Sequence, residues 1–558
     1  MKTHILIFAT FLIGISISQA QIINIPEDFP TIQQGIDRSS NGDTVLVAPG
    51  IYVENINLYG KKILLTSNYI FSENENDIKN TIIDGNNNGS VVTFNNDEDT
   101  TTILNGFKII NGNAEYGGGI YCGKTFVGPN PIFNNLIISN NTAIKNGGGV
   151  YILNSNARLL NSKITNNNVG GNGGGVCYYS NNNSGNTYKS YINNCTLSNN
   201  SAYSNGGGIY IRRTIISISS SIVKENESFQ GGGIMIYLSD SSSIINCDIE
   251  YNTATDFGGG LFVQDCDNFS ISVSKVNNNI SDGGGGCSFF SIENIIVNNV
   301  LFAGNSCPYY GSHETYGGAI FALDCFLTFI NSTFVDNQAF QANLMLTEWT
   351  DFEMINTICE TESEFENLII IGRMDITSHN AFFYNCNIRQ GYPTIYNNGF
   401  GEIFFNEETF WADSKFVGVG PDPYQISAES PCRDAGTSDT TGLNLPQLDL
   451  AGNNRINNQF VDIGAYEWDI TVGKPESPKK NLSNSLIIYP NPAQNEIHIS
   501  INGMLRIKQI NIYNKLGQKV LGQNKPASYI DISGLEKSSY VMEVITKHKK
   551  LFAKFIKN

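Results

Sequence analysis

Few residues in this 558-residue sequence combine chemical potential with useful spacing. Asp449, Arg455, Asp462 and Glu467 bring three carboxylates and a cation close together along the chain. Such a group could do general acid/base work, could hold calcium between a cap and the last repeat, or could be an ion-paired cap with glycine turns. Arg212, Arg213, Asp248, Glu250, Asp265 and Asp267 lie in a repeated region, where spacing does not say which of them share a face. Glu360, Glu362, Glu364 and Glu366 read as a solvated face or loop. With five histidines, of which only His313 and His379 fall in the repeat region, in insertions or irregular segments, a histidine-rich metal site is not expected. The eleven cysteines are odd in number and contain no CxxC pair, which excludes zinc-ribbon and thioredoxin-type readings. Tyr121, Tyr151, Tyr210, Phe262 and Phe321 recur as a stripe that could stack on sugar rings or cover a sheet face under loops.

The elements that must position these residues are repeats. Glycine triplets begin at Gly117, Gly147, Gly173, Gly206, Gly231 and Gly258, continue as Gly283 to Gly286, and end as Gly317-Gly318-Ala319. Ahead of them runs a series of asparagines, each three residues after an apolar one: Asn141, Asn167, Asn200, Asn226, Asn252, Asn279, Asn305 and Asn337. Their common spacing of about 26 residues, with short β-type segments and no helical period, predicts a solenoid coil of parallel β-helix. Leucine-rich repeats lack a counterpart here, and propeller blades need about 40 residues or more. Alternation after the glycines places Ile120, Val150, Val176, Ile209, Ile234, Leu261 and Ile320 inward, stacked at ~4.8 Å. A second inward row, five positions before each asparagine, reads Leu136, Ser162, Cys195, Ser221, Cys247, Ser274, Val300 and Ser332. The asparagine row is expected to be a structural ladder of stacked amides, and the glycines to permit positive φ at a corner. No triplet is followed by the Lys and helix of a phosphate loop.

The two ends differ from the middle. Lys2, the apolar run Ile5 to Ile17 and Ser18-Gln19-Ala20 predict a signal peptide at 1–20, cleaved between Ala20 and Gln21. No other stretch is apolar enough to cross a membrane. The net charge of -17 divides into +1 for residues 1–20, -27 for residues 21–470 and +9 for 471–558. That balance argues against a nucleic-acid partner, and against polyanions unless calcium bridges them. Residues 471–485 read as a linker. Short alternating segments over 486–558, such as Leu486-Ile487-Ile488-Tyr489 and Ile510-Asn511-Ile512-Tyr513, predict a small Ig-like β-sandwich.

These segments carry two resemblances. The glycine-flanked units, with an opening that includes Pro30-Thr31-Ile32-Gln33-Gln34-Gly35-Ile36-Asp37 and Asn41-Gly42-Asp43-Thr44-Val45, resemble right-handed parallel β-helix proteins of the pectate-lyase-like superfamily. The opening reads as a capped short helix that would plug the end of the solenoid. The segments Ser430-Pro431-Cys432-Arg433-Asp434-Ala435-Gly436 and Val461-Asp462-Ile463-Gly464-Ala465-Tyr466-Glu467 resemble the closing segment of exported bacterial β-helix proteins. The C-terminal segments, with Pro490, Asn491, Pro492 and Gly517, resemble the type IX secretion sorting domain of Bacteroidetes. That resemblance implies the secretion machinery as a partner and a destination that is secreted or at the outer-membrane cell surface.

The expected fold is all-β: a right-handed parallel β-helix over 21–430, its C-terminal cap over 431–470, the linker, and the sorting sandwich. A monomer without a cofactor is expected, calcium being the one ion considered. The superfamily includes pectate lyases, pectin esterases and polygalacturonases, but none of their catalytic groupings stands out here. Non-catalytic binding of an extracellular polysaccharide or another surface is therefore the preferred reading, and a polysaccharide lyase or glycoside hydrolase the alternative.

Overall fold

The computed structural model describes residues 20–181, 188–308, 314–361, 367–372, 379–398, 401–456 and 460–468 of the passenger. In the C-terminal unit it describes 486–489, 493–501, 507–514, 518–524, 529–546 and 550–557. Outside these residues lie the expected signal core, the linker, His313, Glu362, Glu364, Glu366 and the motif residues Pro490, Asn491, Pro492 and Gly517.

The passenger is a β-solenoid of about 14 turns. One coil shows the plan: Arg158–Leu160 forms a first side, Lys163–Thr165 a second, the short Asn168–Val169 a glycine-side strand, and Val176–Tyr179 a third side. Each strand pairs in parallel with its counterpart one coil away. Strands such as Phe269–Asn277 and Cys287–Ala303 run through a corner, which merges the three sides into one 37-stranded sheet.

The corners explain the composition. Between the first and second sides the chain turns on left-handed residues, among them Asn135, Asn161, Asn194, Asn246, Asn299, Asn331 and Asn356, all with φ between 46° and 60°. The next corner uses Asn140, Asn166 and Asn199 in the same conformation. Asparagine tolerates this region because its short amide can hydrogen-bond locally. Alternation then sends apolar side chains inward. The row Ile120, Val150, Val176, Ile209, Ile234, Leu261, Cys287 and Ile320 is fully buried and stacked residue on residue. In the small-residue row, the Ser162, Ser221, Ser274 and Ser332 hydroxyls accept from the backbone N–H of the coil before, at 3.1–3.3 Å.

The helix Ile32–Arg38 closes the first coil. Thr31 caps it through Gln34 N–H at 3.2 Å, while the Glu54 carboxylate accepts from Ile32 and Gln33 N–H at 2.8 and 3.0 Å. At its other end Lys61 Nζ donates to the carbonyls of Ile36, Asp37 and Ser39 at 2.6–2.7 Å. Anion at the start and cation at the end both match the helix dipole. Ile32 and Ile36 are buried in the solenoid core.

Where an end cap over 431–470 is expected, the described residues from about 412 to 468 turn back and lie along the flank, over the second side. Lys275 pairs with Asp422 at 2.6 Å, Tyr424 donates to Asp336 at 2.9 Å, Ala465 N–H donates to Thr333 at 2.9 Å, and Gly464 N–H donates to the Asn356 carbonyl at 2.8 Å. The reason is visible in the outward residues of that side. Upstream they are Lys163 and Thr165, Thr196 and Ser198, Asp248 and Glu250, but they become Leu301 and Ala303, then Thr333 and Val335. Leu301, Ala303 and Val335 are buried against Ala465 and Tyr466.

The C-terminal unit begins at residue 470. It has a three-stranded and a four-stranded antiparallel sheet, with Ile497 and Ile530 from the former and Ile510, Ile512, Met542, Val544 and Phe555 from the latter in one core.

Candidate functional site

All eight ladder asparagines are buried and form one continuous chain of hydrogen bonds. From Asn141 to Asn305, each donates both its backbone N–H and its side-chain Nδ2 to the Oδ1 of the asparagine one coil on, at 2.9–3.1 Å. The second Nδ2 hydrogen goes to a carbonyl of the neighbouring coil, as from Asn226 to Leu197 at 3.0 Å. That carbonyl belongs to the apolar residue three positions before the preceding asparagine, which gives the sequence pattern its cause. Every amide capacity of Asn226 is used, so the row has nothing left for a ligand.

The glycines do two jobs. In Gly147-Gly148-Gly149 only the first has positive φ, at 69°. A Cβ on Gly148 would meet the Gly174 and Asn168 carbonyl oxygens at 2.5 and 2.6 Å, so the second is glycine because the next coil leaves no room. Immediately before the triplets lies an amide ladder that the sequence reading missed: Asn172 Nδ2 donates to Asn146 at 3.0 Å and Asn205 Nδ2 to Asn172 at 2.9 Å. Asn or Gln at 146, 172, 205 and 230 was its signal.

Of the two readings of the aromatic stripe, its burial fits the cover of a sheet face and leaves little free for stacking on sugars. Tyr151, Tyr210, Phe262 and Phe321 are buried and Tyr121 is half-buried. The glycine corner folds back over them: a Cβ on Gly147 would lie 2.8 Å from the Cα and Cβ of Tyr151. Two residues further along the third side, Arg212 is stacked between Tyr179 and Tyr237, 5.0 and 5.8 Å from the ring centroids.

Exposed apolar side chains occur elsewhere, on the segments leading into the glycines. Ile144, Tyr203, Phe229 and Phe340 occupy the third position after their ladder asparagines and are 67%, 82%, 50% and 53% exposed. Tyr203 and Phe229 lie on successive coils, and the Ser204 carbonyl fixes their spacing by accepting from Phe229 N–H at 2.9 Å. Beside them is a groove of about 530 Å³ that Ser201, Ser204, Glu227 and Thr255 also line.

The charged group of the closing segment is assembled but closed. Asp449, Arg455, Asp462 and Glu467 are all buried. Arg455 pairs with Glu467 at 2.7 Å, donates to the carbonyls of Gly464 and Ala465, and reaches Asn299 on the solenoid. Asp449 accepts from the N–H groups of Ala451, Asn453 and Glu467 at 2.7–2.9 Å, and Asp462 from those of Asp434 and Trp468 at 2.6 and 2.5 Å. Burial pushes the Glu467 carboxyl up to about 8, with Arg455 pulling the other way and Asp462 adding to the rise. Burial also raises Asp462. Among the described residues no group of three or more Asp, Glu, His or Cys has the arrangement to hold a metal.

Other singled-out residues are scattered. Asp248 and Glu250 point outward on the second side beside Lys275, and desolvation, ahead of the neighbouring charges, raises both carboxyls. Asp265 lies at a left-handed corner, and Asp267 N–H donates to Asp240. His379 Nδ1 is 3.9 Å from the Asp351 carboxylate. Glu360 departs from the expected solvated face. It is buried, paired with Arg389 at 2.5 Å, and accepts from Ser414 N–H where the closing segment begins. All eleven cysteines are free and buried, and burial pushes the Cys195 and Cys247 thiols up to about 12.

Against known proteins, residues 487–558 match the family described as the secretion system C-terminal sorting domain. The C-terminal unit is a type IX sorting domain. Its presence indicates delivery of the passenger to the cell surface or the medium, and no helix among the described residues is long and apolar enough to cross a membrane. Within the passenger, 135–153 and 194–212 match the repeat of the Chlamydia polymorphic membrane protein, and both stretches run from before a ladder asparagine through its glycine triplet. No curated protein matches the chain. Among solved structures, pectate lyase Pel9A shares 11% identity over 81% of this chain and 98% of its own, with a TM-score of 0.33. Full-length tailspike protein 2 of Escherichia coli O157:H7 bacteriophage CAB120 shares 9% identity over 96% of this chain and 68% of its own, with a TM-score of 0.28. Neither likeness bears on activity.

Proposed function

We propose that the sorting domain delivers a passenger that binds extracellular glycan or another surface without catalysis. The observation that carries this reading is the exposed pair Tyr203 and Phe229 on successive coils along the glycine corner, with exposed Ile144 and Phe340 at the same position on coils further off. Isolated exposed apolar residues are ordinary, but neighbouring rings aligned by a rigid scaffold suit a recognition surface. The closing-segment carboxylates support the same reading, because backbone donors and Arg455 already occupy their oxygens. The test is incubation of the purified protein with neutral and uronic-acid polysaccharides. Retention on a glycan with no new reducing ends or unsaturated products is the expected result, and release of such products would refute it.

One observation favours a polysaccharide lyase or hydrolase. Asp248 has a desolvated carboxyl near Asp422 and Lys275, and two carboxylates with a cation are the usual material of acid/base catalysis. Lys275 is committed to Asp422, to which Tyr466 also donates at 3.3 Å, so the group is better explained as a latch for the closing segment. Products formed by the wild-type protein and lost in Asp248→Asn would restore the catalytic reading.

A further inference from the structure

We infer that the groove between Tyr203 and Phe229 is a binding subsite for an uncharged glycan whose chain runs along the solenoid axis. The inference rests on the glycan-binding reading above and gives it a place and a ligand class. The two rings sit on consecutive coils, so they repeat at the ~4.8 Å strand spacing along the axis. Their backbones are held rigidly: Ser201 pairs with Glu227, Tyr203 N–H donates to the Val169 carbonyl at 3.0 Å, and Thr255 N–H donates to the Ser228 carbonyl at 3.2 Å. Both rings are exposed to solvent. A pair of ring faces presented at fixed spacing suits the apolar face of a sugar, whose hydroxyls then need partners nearby.

Those partners are present. The hydroxyls of Ser201, Ser204 and Thr255 and the Glu227 carboxylate line the groove, and none has a side-chain hydrogen bond among the described residues. Glu227 is also the groove's only charged group, and the passenger around it carries about -27. An acidic chain would be repelled here, whereas a neutral one can donate its hydroxyls to Glu227. Size decides against a protein occupant. A groove of about 530 Å³ has the dimensions of a small-ligand site, while a stable protein partner needs roughly 1,000 Å² or more of buried surface.

The test compares the intact wild-type protein with Tyr203→Ala, Phe229→Ala and the double variant by affinity electrophoresis. The gels contain either neutral glycans (a β-glucan, a xylan, a mannan) or acidic ones (polygalacturonate, alginate). Thermal melting checks that these exposed truncations leave the fold intact. The expected result is retention of the wild type on a neutral glycan, with affinity about 5-fold weaker for each single variant and at least about 10-fold weaker for the double. Wild-type retention that the double variant preserves would overturn this subsite and leave the broader reading standing. Wild-type retention on acidic glycans alone would overturn the ligand class. No retention of the wild type on any gel would overturn the binding reading itself, and this inference with it.

Discussion

A single asparagine of the ladder touches three coils. In Asn226→Ala the Asn200 backbone N–H and side-chain Nδ2 lose their acceptor, and the Leu197 carbonyl loses its donor, all in a dry interior. Unsatisfied buried groups cost about 1–3 kcal/mol each, so this variant should lose at least ~2 kcal/mol, read as a lower urea midpoint at unchanged slope. Asn172→Ala breaks the outer amide ladder, where the side chain is half-buried and water can replace the bond. Its loss should stay below about 1 kcal/mol in the same measurement. If the two variants were equally destabilised, burial would not be what gives the inner ladder its weight. Stereochemistry acts at this scale too. Glycine and asparagine fill most left-handed corners, because glycine has no Cβ and the short asparagine amide tolerates this region, while larger residues such as Glu225 and Tyr251 occupy a minority of them.

Among elements, the closing segment has the most to test. Leu301→Lys places a charge beneath Ala465 and Tyr466, where its neighbours are apolar. It should free the segment and open 412–468 to limited proteolysis, while Lys163→Leu on the uncovered part of the same side leaves the digestion pattern unchanged. The buried Glu467 carboxyl adds a pH dependence of defined sign. Its folded value of about 8 lies above the ordinary 4.5, so between these values the docked form keeps a proton that the free segment releases. The Glu467 contribution to docking is therefore greatest below about pH 4.5 and declines as the pH rises through 8. Resistance of the segment to proteolysis should fall from pH 5 to pH 9 in the wild type. Glu467→Gln, which cannot ionise, should flatten that profile, and an unchanged slope would show that another group sets it.

At the scale of the whole chain, the sorting domain and the passenger make separable contributions. Deleting 486–558 removes the sorting domain and should leave the passenger in the periplasm of a host that carries the type IX machinery. Cell fractionation and protease treatment of intact cells would check this, and normal surface delivery of the truncated chain would contradict the assignment. The passenger can be long without a large globular core because each coil buries its residues against the coils on either side. The charge of -17 has meaning only once divided, since the acidic passenger and the basic sorting domain carry opposite signs.

Repetition made the solenoid legible before any coordinate was known. Regular spacing of Asn141 through Asn337 reports coil length directly, because each asparagine must reach its counterpart one coil away. Alternation likewise identified the buried row from Ile120 to Ile320, since the side-chain period of a strand is two. Local patterns could not say which outward row a distant segment would cover. Tyr151 and Tyr203 look alike in sequence, yet one lies beneath the glycine corner and the other stands in solvent. Leu301 and Asp462 are far apart in the chain and meet only because the closing segment returns along the flank. The repeats themselves determined the coil, its ladder and its corners, all interactions at a fixed chain separation. Exposure and docking arise from contacts at no fixed separation, and those only the tertiary structure decided.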